Sequence, residues 1–126
     1  MTLLENLKIL DFTTLLPGPY ATWMLAEMGA KVTKISAPGK YDLILDSEPK
    51  TEKGLSANRA WLNNSKDEIF INLKEEAGKK EIERLIKEDG YNCVIEQFRP
   101  GVMAKFGLSY DDVKAMKDDI IYLSLT

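Results

Sequence analysis

Residues 7–36 read LKILDFTTLLPGPYATWMLAEMGAKVTKIS, and one complete folding unit lies within them. The run LKILDFT (7–13) is short and apolar and is closed by the breaker LPGP, the signature of a buried strand running into a turn. Beyond it, Ala21, Met24, Leu25 and Met28 fall at i, i+3, i+4 and i+7, which predicts one apolar helical face. Gly29 suits the left-handed residue that closes a helix, and KVTKIS (31–36) is a second strand. Strand, helix and strand in so short a span predict a parallel pair joined by a right-handed crossover.

The alternation continues outward. EIFINL (68–73) is a third strand, followed by a helix near 75–88 whose Ile82, Leu85 and Ile86 share a face. Gly78, one turn before Ile82, would let that helix approach a sheet closely, and Gly90 closes it. YNCVIEQF (91–98) is a fourth strand, followed by a turn and short helix ending at Gly107. Ser109 reads as an N-cap with Asp112 three residues on, opening a helix near 110–117 with Val113 and Met116 inward. IIYLSLT (120–126) is a fifth strand. Together with the first helix, near 19–28, these elements predict an α/β fold: a mostly parallel five-stranded sheet with helices on both faces. Residues 37–66 are rich in Pro, Gly, Asn and Ser and show little periodicity, so they are expected to be the least ordered stretch.

A chain of 126 residues makes one ordinary domain that buries about two-thirds of its surface. Apolar residues at 44% and charged residues at 29% suit a soluble globular protein. A net charge of −3 argues against a general nucleic-acid binder. No run approaches the ~18 apolar residues of a membrane span, and MTLLENLKIL has neither a basic region nor a cleavage site. A cytoplasmic protein without membrane or nucleic-acid partners is expected. The lone Cys93 sits in an apolar strand and reads as an inert core thiol. There is no histidine, which removes the usual general base and the commonest metal ligand. Acid–base chemistry by this chain would fall to carboxylates, Lys or Tyr, and no metal is expected.

In an open parallel sheet, ligands bind outside the carboxyl ends of the strands. Those ends are TTLLPGP, SAPGKYD, LKEE and EQFRPG, and the last is unusually polar for the close of a buried strand. Neither GxGxxG nor GxxxxGK[ST] is present, so both standard phosphate-cradling loops are absent. LPGPYATW places a glycine before a helix, readable either as an anion site or as a Pro-Gly turn with Pro near the first helical position. Arg99 and Lys105, with Phe98 beside them, suit a phosphorylated ligand carrying an aromatic ring, though solvated cations on a helical turn are also ordinary surface. Asp11 and Glu96 read either as tuned catalytic carboxylates or as structural ones satisfied by backbone N–H groups or Arg.

At these residues the sequence resembles the class III CoA-transferases, a family that includes formyl-CoA transferase, the carnitine dehydratase and bile-acid-inducible type, and α-methylacyl-CoA racemase. Residues 7–36 are similar to the family's opening strand, helix and second strand, and NLK with EEAGKKEIERLI to its third strand and helix. The segment VIEQFRPGVMAKFGLSYDDVKAMKDDIIYLSLT resembles the most specific stretch, usually of the form ENFRPGVMERLGL. The resemblance implies a Rossmann-like domain whose strand ends hold coenzyme A. Its contact positions correspond to Leu15 and Leu16 after the first strand, Ala37 after the second, Ile71 and Lys74 after the third, and Gln97, Phe98 and Arg99 after the fourth. Lys105 takes the place of a phosphate-contacting arginine, keeping the charge but losing the bidentate fork. Ala37 stands where arginine is frequent, and Gln97 where asparagine is.

The resemblance further implies acyl-CoA and carboxylic acid substrates and a homodimer. Transferases of this type carry the acyl group on an aspartate, and the racemases pair histidine with aspartate. Both lie beyond the strand matching IIYLSLT, so no catalytic residue is expected within 1–126. The expectation is the N-terminal coenzyme A-binding part of a longer CoA-transferase or acyl-CoA racemase. Two other readings stay open: a stand-alone, non-catalytic nucleotide or acyl-CoA binding module, and one chain of a split enzyme.

Overall fold

Residues 7–36 fold as the pattern predicts, into β1 (Lys8–Asp11), α1 (Pro17–Glu27) and β2 (Lys31–Ser36). A computed structural model describes residues 3–126. Five parallel strands form one sheet in the order β3-β2-β1-β4-β5, completed by β3 (Lys66–Phe70), β4 (Cys93–Glu96) and β5 (Ile121–Ser124). The order reverses at β1: the chain first winds outward through β2 and β3, then crosses to β4 and β5. With right-handed crossovers, that reversal puts the helices on opposite faces. α1 and α2 (Ala57–Leu62) lie together on one face; α3 (Glu76–Lys87), the short α4 (Val102–Lys105) and α5 (Tyr110–Met116) serve the other.

The larger core lies under α3 to α5 and contains Leu10, Phe12, Ile82, Ile86, Val94, Leu108 and Val113. The smaller one, under α1, is built from Ile9, Ala26, Ala30, Val32, Cys93 and Ile95. Burial pushes the Cys93 thiol up to about 11, in keeping with an inert core residue. Gly78 allows a close approach, made to the turn after β3 rather than to the sheet itself. A Cβ there would lie 2.1 Å from the backbone oxygen of Asn72, so α3 closes onto the β3 turn only because that atom is missing. Ser109 caps α5 in a complete capping box with Asp112.

Two expectations are corrected, and the segment 37–66 holds one short helix. The buried side of α1 is Gly18, Pro19, Thr22 and Ala26, while Met24 and Met28 are 43% and 42% exposed. At its start this side meets polar groups, through Thr22 on Asp11 and Pro19 O on Lys66, and towards its end Ala26 joins the smaller apolar core. The third strand is Lys66–Phe70 rather than 68–73, since an edge strand tolerates charge and its register pairs Lys66 with Val32 and Phe70 with Ser36. The segment 37–66 contains α2, too short at six residues to declare a helical period.

Candidate functional site

Because every strand is parallel, all the carboxyl ends lie on one edge, and the turns after β1 to β4 bring the sequence-derived candidates there. Leu15 and Leu16 are 39% and 45% exposed on the β1–α1 turn. Ala37 is exposed directly after β2. Ile71 donates its N–H to Ser36 O at 2.9 Å, but its side chain is packed in the larger core. Lys74 is exposed in a turn closed by its N–H on Asn72 Oδ1 at 3.1 Å. At the end of β4, Gln97 and Phe98 are half-buried and Arg99 is exposed. Phe98 packs edge-on against Phe106 with ring centres 5.9 Å apart, which fixes α4 and its exposed Lys105 beside the strand end. Among the described residues, no carboxylate lies within ion-pair distance of Lys74, Arg99 or Lys105.

The two candidate carboxylates are occupied. Asp11 is fully buried and accepts from Thr13 N (2.9 Å), Thr13 Oγ1 (2.5 Å) and Thr22 Oγ1 (2.5 Å), with Lys66 Nζ at 3.4 Å. Glu96 is buried and accepts from Phe98 N at 2.9 Å. It lines a largely apolar cleft of about 640 Å³ with Phe98, Met103, Tyr110 and Tyr122. Of the nine candidate contact residues, Phe98 alone lines that cleft.

Asp11 is part of a polar layer under α1 that sequence reasoning missed. Asp11 pairs in register with Lys34, and Lys34 with Glu68, so acid, base and acid cross three strands on one face. Lys34 is buried and donates to Thr13 O at 2.6 Å. Lys66, whose ammonium is also buried, donates to Pro19 O at 2.9 Å. Burial pulls its pKa down to about 8, helped by the nearby Lys34 charge and opposed by Asp11. Glu68 and Asp46 are gathered by Arg59 at 2.8 Å each. The layer thus holds α1 and both ends of its leading turn.

That turn is built against its own conformational preference. Leu15 has φ 62, a left-handed backbone that costs a residue with a Cβ roughly 1–2 kcal/mol. Three side chains from three segments compensate: Lys34 on Thr13 O, Gln97 Nε2 on Thr14 O at 2.7 Å, and Asp42 Oδ2 accepting from Leu15 N at 2.8 Å. Burial would raise the Asp42 pKa, but N–H donors from Leu15, Leu45 and Ile44 together outweigh it and hold the carboxyl below its ordinary value.

The helix that follows is a poor phosphate cradle. Pro17 and Pro19 have no N–H, so the first turn of α1 offers Gly18 as its lone donor among those three residues. Gly18 itself is buried, and its Cα is crowded: a Cβ there would sit 2.2 Å from Thr13 Cβ and 2.3 Å from Gln97 Oε1. Of the two readings of LPGPYATW, the structure favours the Pro-Gly turn. The exposed cations on this edge include Lys74, Arg99 and Lys105.

A family model described as CoA-transferase family III matches residues 4–126. The chain belongs to that family. It is 36% identical over 125 residues to human succinyl-CoA:glutarate CoA-transferase, covering 98% of this chain and 28% of the relative. It is 31% identical to the formyl-CoA:oxalate CoA-transferase of Afipia carboxidovorans, covering 97% of this chain and 28% of that protein. Among solved structures, a CAIB/BAIF family protein from Brucella suis superposes with a TM-score of 0.87 at 32% identity, over 99% of this chain and 33% of that one. The chain therefore spans about a third or less of the relatives it matches. For a CoA-transferase family III chain, the missing helix-terminal phosphate cradle is a physical distinction from dinucleotide-binding Rossmann folds. Among the described residues, no three His, Cys, Asp or Glu side chains gather as a metal site, and no helix is long and apolar enough to cross a membrane.

Proposed function

We propose that residues 1–126 form the coenzyme A-binding part of a class III CoA-transferase, with the binding surface on the carboxyl edge of the sheet. The observation that carries this is that, in a member of this family, the turns after β1 to β4 open on one edge of the sheet and carry exposed Lys74, Arg99 and Lys105, with Phe98 at the end of β4. Two features of coenzyme A are matched. Exposed cations supply charge-assisted hydrogen bonds to phosphates, and Phe98 with the Leu15–Leu16 turn supplies apolar contact for the adenine ring or pantetheine arm. Acyl-CoA and a carboxylic acid are the substrates this implies.

Neither candidate carboxylate is placed to attack a thioester, since Asp11 is saturated beneath α1 and Glu96 is held by Phe98 N. We assign these residues to binding and orientation, and the acyl-carrying aspartate to sequence beyond the stretch matching 120–126. The chain by itself is expected to transfer nothing. A cytoplasmic homodimer completes the proposal. Ile121 and Leu123 are 55% and 45% exposed on β5, an apolar surface that association would cover. Sedimentation giving a clean monomer at high concentration would remove the dimer from it.

Calorimetric titration with coenzyme A tests the binding assignment. A charge-assisted bond contributes roughly 1.5–3 kcal/mol at best, so an open edge with two or three of them predicts a Kd of about millimolar to tens of micromolar. Lys105→Glu should weaken binding about tenfold, because repulsion replaces attraction. Equal affinity for parent and variant would contradict the assignment.

A further inference from the structure

We propose that Asp42 is a positioning residue for this edge: its carboxylate holds the β1–α1 turn in the left-handed bend that presents Leu15 and Leu16. This role rests on the coenzyme A reading for its purpose and on the hydrogen bonds alone for its existence. Lys34 and Gln97 secure the carbonyls on the entering side of the turn and come from β2 and the end of β4. Asp42 reaches the N–H of Leu15, the residue of this turn in the unfavourable conformation, and it comes from outside the sheet.

Asp42 is itself rigidly placed. Its second oxygen accepts from Ile44 N and Leu45 N, both at 2.9 Å, and its own N–H donates to Asp46 Oδ2 at 2.7 Å. Asp46 is bound by Arg59, and Arg59 by Glu68 of β3. A continuous polar chain therefore runs from the sheet, through the 37–66 segment, to Leu15. This gives a segment with little regular structure a specific role.

Positioning is separable from stability here because the Leu15–Asp42 bond lies at the surface. If it is lost, water can satisfy the freed N–H, so the fold keeps its stability while the turn loses its bend. Asp42→Asn is the suitable variant. Its carboxamide oxygen can still serve Ile44 and Leu45, while its NH2 faces the Leu15 N–H and cannot accept from it.

The test is a double-mutant cycle with Leu15→Gly, since glycine adopts the left-handed backbone without assistance. In the parent background, Asp42→Asn should weaken coenzyme A binding about tenfold and accelerate Leu15 amide exchange, with the thermal midpoint unchanged. In the Leu15→Gly background, the same substitution should change affinity less than about twofold. An equal loss in both backgrounds, or a Leu15 amide that exchanges as slowly in Asp42→Asn as in the parent, would overturn the proposal. A parent chain that ignores coenzyme A would instead sink the binding assignment. The ligand-free exchange comparison would still decide whether Asp42 holds the turn.

Discussion

The two faces of this sheet solve burial in different ways. Under α3 to α5, Leu10, Phe12, Ile82, Ile86 and Val94 pack as an apolar core, and α3 closes onto the turn after β3 at Gly78. Under α1, the layer nearest the carboxyl edge is ionic: Asp11, Lys34, Lys66 and Glu68, with Thr13 and Thr22 completing the bonds of Asp11. The apolar face holds the sheet together and could be refilled with other side chains of similar volume. The ionic face is directional, and its bonds end on backbone atoms of the β1–α1 turn. The difference teaches that burial of charge here serves the geometry of one loop, since a buried pair adds little net stability over an apolar isostere.

The largest effect should come from unbalancing the ionic face. Asp11→Leu strands the buried Lys66 ammonium and should cost about 3–5 kcal/mol in denaturant unfolding. Adding Lys66→Met should recover much of that loss. If it recovers nothing, the layer is not acting as a charge pair. On the other face, Ile82→Ala should cost about 3 kcal/mol, an ordinary cavity penalty with no partner substitution that relieves it by charge.

Titration sharpens the contrast. Lys66 titrates near 8 in the fold against 10.5 when free, so between those pH values the unfolded chain holds more protons. Raising pH through that window therefore stabilises, by at most about 1.4 kcal/mol per pH unit, and below it the cost of the buried ammonium is borne in full. Cys93 works in the opposite sense between 9.0 and about 11, because there the unfolded chain loses its proton first. Subtracting the Lys66→Met stability profile from that of the parent cancels the Cys93 contribution. A flat difference across the Lys66 window would contradict the burial assigned to that side chain. The smallest effect is expected at Ser109→Ala, where losing the α5 cap should cost about 1 kcal/mol and leave coenzyme A affinity unchanged.

Much of this was legible in the sequence. The β1–α1–β2 unit, the close approach at Gly78 and the Ser109–Asp112 capping box follow from local pattern, as each depends on neighbours a few residues away. The rotation of α1 did not follow. Hydropathy favours Met24 and Met28, whereas the buried side carries Gly18 and Thr22 beside the charged groups and Ala26 over the smaller apolar core. The strand-end rule located the edge but not what shapes it. Lys34 acts on Thr13, 21 residues away, and Asp42 on Leu15, 27 away, so neither has a local signature. The one available hint was a lysine at position 34 on the same strand face as the buried Val32.

The central claim is that the carboxyl edge of this sheet binds coenzyme A, and amide shift mapping of the isotopically labelled chain during a coenzyme A titration tests it most directly. Saturable shifts are predicted at 13–16, 37–40, 71–74 and 97–106, with the opposite ends of the strands, around Lys8 and Asn92, silent. Shifts that never saturate, or that cluster around Lys8 and Asn92, would contradict it.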